Sequence, residues 1–82
     1  MYRVIDDNQV QEQVDALPAE VLPAYAEART LLEVAPWSSH PYRKEKPNGS
    51  MRTLIFSSSG AVVYLILEQQ REVHVLLVQW IG

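Results

Sequence analysis

The chain has 82 residues and sets 7 Lys and Arg against 10 Asp and Glu, a formal charge of -3 that excludes a generic polycationic nucleic-acid coat. The length allows one small domain over residues 1–82, and the absence of cysteine excludes a disulfide framework and a thiolate zinc site. No basic-then-apolar leader follows Met1 and no apolar run approaches about 18 residues, so a soluble, cytoplasmic protein with no membrane partner is expected.

Tyr2-Arg3-Val4-Ile5 reads as a short strand that ends at Asp6-Asp7-Asn8. Asn8, three residues before Gln11, fits a capping box. Val10, Val14 and Leu17 then recur at helical spacing and predict a first helix of about ten residues. Pro18 ends that helix or opens the next. The second helix runs to about Glu33, with Tyr25, Ala28, Leu31 and Leu32 on its apolar face. Pro23 forces a kink or a start near Pro23, because in a helix interior it removes a donor and clashes with the preceding turn. Neither helix is long enough to be stable alone, so the two form an antiparallel hairpin laid on a sheet. Ser38 to Ser50 reads as irregular, punctuated by Pro41, Pro47 and Asn48-Gly49, with Trp37 as a packing anchor.

The C-terminal part organises the rest. Met51–Phe56, Ala61–Leu67 and Val73–Ile81 are rich in β-branched and aromatic residues and read as a three-stranded meander. Ser57-Ser58-Ser59-Gly60 and Glu68–Glu72 are short enough to be its hairpin loops. Nearly every residue of the last two strands is apolar, so both faces of the sheet are expected to be covered. Strict alternation sets Arg52 with Leu54 and Phe56, and Tyr64 with Val62, Ile66 and Glu68. In the last strand it sets His74, Leu76, Val78 and Trp80 on one face, and Val73, Val75, Leu77, Gln79 and Ile81 on the other.

Charge is unevenly distributed. Residues 43–52 hold Arg43, Lys44, Lys46 and Arg52 against Glu45 alone, a local +3. The rest of the chain holds Arg3, Arg29 and Arg71 against nine carboxylates, a local -6. An acidic protein can still present one anion-binding patch, because surface fields are screened within about 10 Å. A solvated lysine-rich loop fits the same composition.

Read together, these features resemble the RelE/ParE superfamily of type II toxin–antitoxin toxins over the whole chain. The resemblance rests on Tyr2-Arg3-Val4 opening the first strand and Leu17-Pro18 between the helices. Ala35-Pro36-Trp37 closing the helical part, Met51-Arg52 starting the meander, and a late apolar run ending at Gly82 complete it. It implies a small α+β domain, a helical hairpin packed on a twisted, mostly antiparallel four-stranded sheet in the order β-α-α-β-β-β. It further implies a toxin component neutralised by a cognate antitoxin whose flexible segment wraps it, with a dimer or toxin–antitoxin hetero-oligomer open. By resemblance Arg52 holds the scissile phosphate of a ribosome-dependent mRNA endoribonuclease. Lys44 and Lys46 are the basic residues leading to the meander, and Arg43 adds a contact to the RNA backbone.

Internal RNA cleavage requires the 2′-hydroxyl to attack the adjacent phosphate. A base must take its proton, an acid must protonate the departing 5′-oxygen, and cations must stabilise the charge developing on phosphorus. Arg52 suits the last task through bidentate contact. Lys44 and Lys46 can serve as fixed charges, or as a base if burial lowered a lysine pKa. Glu45, Glu68 or Glu72 can serve as base only if folded close to Arg52. The ribonuclease branch carries a further arginine or histidine and a terminal tyrosine or histidine after the last strand; here the chain stops at Gly82, so the general acid is expected to be missing. His74 is a candidate substitute, and Tyr64 an equal one. His40 and Tyr42 flank Pro41 and can stack on a base of single-stranded RNA.

The missing tail and the net acidity point also to a catalytically weakened module that keeps the toxin fold and binds an antitoxin-like partner. A third possibility is a ParE-type gyrase inhibitor. No cofactor and no metal are expected: His40 and His74 are the only histidines, neither has a carboxylate at ligand spacing, and no glycine-rich phosphate loop is present.

Overall fold

The computed structural model describes residues 1–81; the expected end of the apolar run at Gly82 lies outside them. Five strands form one sheet: β1 (Arg3–Asp6), β2 (His40–Pro41), β3 (Met51–Phe56), β4 (Gly60–Leu67) and β5 (Glu72–Trp80). Their order across the sheet is β1-β5-β4-β3-β2, with β1 parallel to β5 and every other pair antiparallel. The expected four strands are therefore joined by a fifth. It lies in the segment that reads as irregular, and Pro41 is tolerated there because it sits on the sheet's rim.

The first helix, α1 (Val10–Asp15), is shorter than expected, and Gln9 rather than Asn8 stands at its N-cap with no side-chain capping bond. Gln11 is drawn instead toward Asp15, 2.9 Å away one turn on. A 3₁₀ turn at Ala19–Val21 separates α1 from α2 (Leu22–Val34). Pro23 thus falls in the first turn of α2, where its missing N–H has no intrahelical partner to lose, and no kink is needed.

Val10, Leu17, Val21, Tyr25, Ala28 and Leu32 from the helical part form a single buried cluster. They pack against Phe56, Val62, Tyr64, Ile66, Val73, Val75 and Val78 of the sheet. These strand residues all belong to one face, so the helices cover that face alone. The expectation that both faces are covered fails: Met51 and Ile55 are exposed on the other face, and Thr53, Ala61, Leu65, Leu67 and His74 are half-buried there. Val63 alone among these is buried on that open side.

Strict alternation also fails in β5. Val63 pairs with Leu77 but Tyr64 pairs with Val75, so Leu76 is an extra residue, a β-bulge. The bulge resets the pleat, which places Val73 and Val75 on the same buried side as Val78 and Trp80. β1 ends opposite Val75, leaving the bulged stretch of β5 without a strand beside it. Helix α1 takes that place with two side chains. Gln9 Nε2 donates to the Leu76 carbonyl at 2.6 Å, and the Val78 N–H donates to Gln13 Oε1 at 2.8 Å.

The β3–β4 connection is tight. Ser57 and Ser58 have φ of 51° and 56°, a left-handed conformation that L-residues adopt at a cost. Gly60 follows because a Cβ there would lie 2.5 Å from the Phe56 ring. The double substitution Ser57→Asn with Ser58→Gly fits the preferred chemistry of such a turn and is expected to raise stability by about 1 kcal/mol. A rightward shift of the urea midpoint at unchanged slope is the confirming observation.

Candidate functional site

The segment from Pro36 to Ser50 carries most of the candidate residues, and two buried side chains fix its shape. Tyr64, from the centre of β4, donates its hydroxyl proton to the Pro36 carbonyl at 2.7 Å and accepts from Ser39 Oγ. Burial pushes the Tyr64 phenol above its ordinary value, so it stays the neutral donor this contact needs. Beside it, Arg52 is only 6% exposed. Its Nη2 donates to the Ser39 carbonyl and its Nη1 to the Gly49 carbonyl at 3.1 Å, with the Pro47 carbonyl at 3.4 Å. One planar fork thereby ties both ends of the loop together. The Trp37 ring lies over it, 5.5 Å from centroid to Cζ, and the Trp37 indole N–H donates to Glu68 Oε1 at 2.8 Å. Trp37 is thus the loop anchor expected of it.

Arg52 does not stand open beside the lysines. It shares the helix-covered face with Leu54 and Phe56, whereas Met51, one residue earlier, points to the uncovered face. The hollow on that second face is lined by Arg43, Lys46, Gly49, Ser50, Met51 and Leu65, with a volume of about 380 Å³. Arg52 and this cationic hollow are therefore on opposite sides of the sheet. The geometry that phosphate clamping by Arg52 together with Lys46 requires is not formed.

Successive turns build the basic loop. The Lys46 N–H donates to the Arg43 carbonyl at 3.0 Å, and the Gly49 N–H donates to the Lys46 carbonyl at 2.9 Å. These turns bring Arg43 and Lys46 to the hollow. Lys44 is exposed on the same loop but does not line it. Arg43 and Glu45 approach to 3.9 Å, a solvent-exposed pair that contributes little. Tyr42 continues β2 in register with Met51, whose carbonyl accepts its N–H at 2.9 Å, and its side chain is 52% exposed. His40 is exposed opposite Thr53.

His74 is also on the uncovered face, paired with Leu65 across β4–β5. Two strand spacings, about 10 Å, separate it from Met51 at the hollow. Its Nε2 lies 3.0 Å from Glu72 Oε1, and Glu72 is paired in addition with Arg3. The structure thus brings Arg43 and Lys46 together, keeps His74 on the same face at a distance, and places Arg52 behind the sheet. Among the described residues no group of carboxylates, histidines and cysteines forms a metal cluster. Among the same residues no helix is long and apolar enough to cross a membrane.

A second polar cluster was not foreseen. Glu68 accepts from Tyr2 OH at 2.6 Å, from Trp37, and from Arg71 Nη1 at 2.8 Å, while the Arg71 guanidinium lies 4.2 Å from the Tyr2 ring centroid. Tyr2 and Trp37 lie 66 and 31 residues from Glu68 in sequence, and Arg71, three residues on, is the one local partner.

With this geometry in view, the chain compares with known structures as follows. Isolated E. coli RelE toxin superposes with a TM-score of 0.79 at 14% identity, over 100% of this chain and 86% of that one. The intact E. coli RelBE toxin–antitoxin complex gives 0.74 at 16% identity, over 100% and 99%. A RelBE complex from Mycobacterium tuberculosis gives 0.76 at 20% identity, over 98% of both chains. No protein-family model matches the chain, and no curated protein matches it. At these identities the likeness is one of fold. The chain has the RelE-type fold over its whole length.

Two expectations follow from the buried and polar clusters. Arg52→Ala strips the partner from carbonyls at both ends of the loop and is expected to destabilise by about 2–4 kcal/mol, with Arg52→Lys recovering only part. An exposed phosphate clamp would leave stability within about 0.5 kcal/mol. Urea unfolding separates the two.

The second expectation concerns acid. Hydrogen bonds, first from Tyr2 and then from Trp37, hold the Glu68 carboxyl below the ordinary 4.5, and the contacts of His74 and then Arg3 do the same for Glu72. Both groups bind protons less readily folded than unfolded, so their stabilisation is present above pH 4.5 and is lost as pH falls through and below that value. Thermal melts are expected to hold level from neutral pH to about 5 and decline below. Glu68→Gln and Glu72→Gln should each flatten that decline.

Proposed function

We propose that this chain is the toxin-fold member of a toxin–antitoxin pair, held by an antitoxin-type polypeptide. Its uncovered sheet face contacts single-stranded RNA without efficient cleavage. The observation that carries this reading is the placement of Arg52, whose guanidinium is engaged by loop carbonyls behind the sheet. Structures that share the fold include RelE bound to RelB or to a RelB peptide, which supports a partner of the antitoxin class. Arg43, Lys44 and Lys46 supply the phosphate contacts in this proposal, and Tyr42 and His40 supply stacking surface. Such partners place the work of the protein in the cytoplasm.

The second reading is the RelE-type endoribonuclease, with Lys44, Lys46 and His74 acting without a clamp from Arg52. It is favoured by the Glu72–His74 pair and the Arg43–Lys46 hollow lying on one face. The loss of one preorganised cationic donor to the transition state is worth roughly 10²–10³ in rate. On this reading cleavage is slow rather than absent.

Two measurements decide between them. Fluorescence anisotropy with a short single-stranded RNA is expected to give a log–log salt slope of about -2, from three loop cations at about 0.7 each. Lys46→Ala should reduce that slope by about 0.7. On programmed 70S ribosomes the message is expected to stay intact. Codon-specific cuts that disappear in both Lys46→Ala and His74→Ala would establish the ribonuclease instead. Inhibition of plasmid supercoiling by gyrase with no ribosome present would establish the ParE-type reading.

A further inference from the structure

The centre of the uncovered sheet face has a composition that water does not favour. Strand β4 lies in the middle of the five, and its outward side chains are Ala61, Val63, Leu65 and Leu67. None is polar, whereas a sheet with one solvated face ordinarily alternates apolar-in with polar-out. Met51 and Ile55 extend the aliphatic area across β3, both exposed. A continuous apolar area of this kind marks a contact surface. It has little to offer RNA, whose sheet-bound forms rest on aromatic rings and cations. The cations stand to one side of it, around the Arg43–Lys46 hollow.

Charge is arranged about β4 in a way that matches a copy of itself. On the β3 side lies the hollow, where the Ser50 carbonyl accepts the Ile66 N–H. On the β5 side, at the same end of β4, Glu72 stands opposite Leu67 and on the same face as His74. Each flanking strand is about 4.8 Å from β4. A carboxylate has about four acceptor positions. Arg3 and His74 engage Glu72 oxygens, which leaves the group able to accept further donors.

We infer that two copies of this chain pair face to face through the open sheet, about a two-fold axis along β4. Such an axis exchanges β3 and β5. It sets Glu72 of each copy over the Arg43–Lys46 hollow of the other and brings the two Leu65 side chains together. The contact is isologous, so one surface serves both partners. An axis along the strands also allows the crossing of about 30° at which twisted sheets pack. The face spans five strands and, along β3, six residues. That is roughly 24 Å by 20 Å, or about 480 Å² per copy. Two copies bury about 1,000 Å², the lower bound for a specific interface, so the dimer has a Kd on the order of 100 μM. The inference goes beyond the RNA reading and does not rest on it. Pairing covers the hollow, so a second copy and RNA exclude one another there.

Sedimentation equilibrium of the full chain, from about 10 μM to about 1 mM, tests the pairing. The weight-average mass is expected to rise from 9.4 kDa toward twice that value and to level there. Leu65→Lys sets two like charges together on the axis and should weaken association at least about ten-fold. Lys46→Glu, on the exposed loop, leaves the sheet untouched and should weaken it about three-fold. Leu31→Lys, on the helix-covered side, should change nothing. Amide shifts that grow with protein concentration should fall on Thr53, Val63, Leu65 and His74. A mass that stays at 9.4 kDa to about 1 mM would overturn the inference, as would growth past the dimer without a plateau. So would association abolished by Leu31→Lys and kept by Leu65→Lys. RNA binding is measured at about 1 μM, where the chain is monomeric, so failure of the dimer leaves the RNA reading standing.

Discussion

The loop that carries Arg43, Lys44 and Lys46, three of the seven Lys and Arg residues, is held by one guanidinium. Arg52 reaches from β3 beneath the segment it organises and bonds carbonyls at its start and its end, Ser39 and Gly49, while Tyr64 fixes Pro36 alongside. A fork of fixed planar geometry suits this role better than a flexible ammonium group, because two widely separated acceptors are held by one rigid unit. The charge is nearly removed from water and none of its contacts is to a carboxylate; carbonyl dipoles and the Trp37 face compensate it. Everything displayed on the open side at this end of the sheet depends on that buried contact, including the hollow between Arg43 and Lys46.

This arrangement separates holding the loop from presenting it. The pleat of β3 sends Arg52 to one side and Met51 to the other, so a phosphate-like ligand in the hollow meets Arg43 and Lys46 without competing for the guanidinium. The RelE-type fold is thus compatible with an arginine at the start of the meander serving structure alone. That distinction decides how much chemistry can be transferred from fold to function.

Much of the architecture is legible in the sequence, because the signals for it are local. Helical spacing from Val10 to Leu32, the three β-rich runs after Met51 and the turn residues between them each follow from contacts within a few residues. The misreadings have equally specific causes. Asn8-x-x-Gln11 satisfies a capping pattern, yet Gln9 and Gln13 have a nonlocal task at the bulged strand that no spacing rule describes. The bulge at Leu76 adds one residue inside an apolar run where every choice of side looks alike, so alternation could not register it. Residues 40–41 are too short for any strand pattern. For Arg52 its phase with Leu54 and Phe56 is legible, but with both faces expected to be covered that phase does not single out a packed side; only the helices' coverage of one face does.

The docking of α1 has a consequence for behaviour at high concentration. Gln9 and Gln13 occupy backbone groups of β5 that would otherwise form a bare strand margin, and the helix bearing them is only six residues long. Detachment of so short an element requires far less free energy than unfolding the whole chain. Each such excursion uncovers a bulged, aliphatic border able to zip onto its counterpart in another molecule. Colloidal lifetime in solution is then governed by two amide side chains at the periphery rather than by the depth of the core.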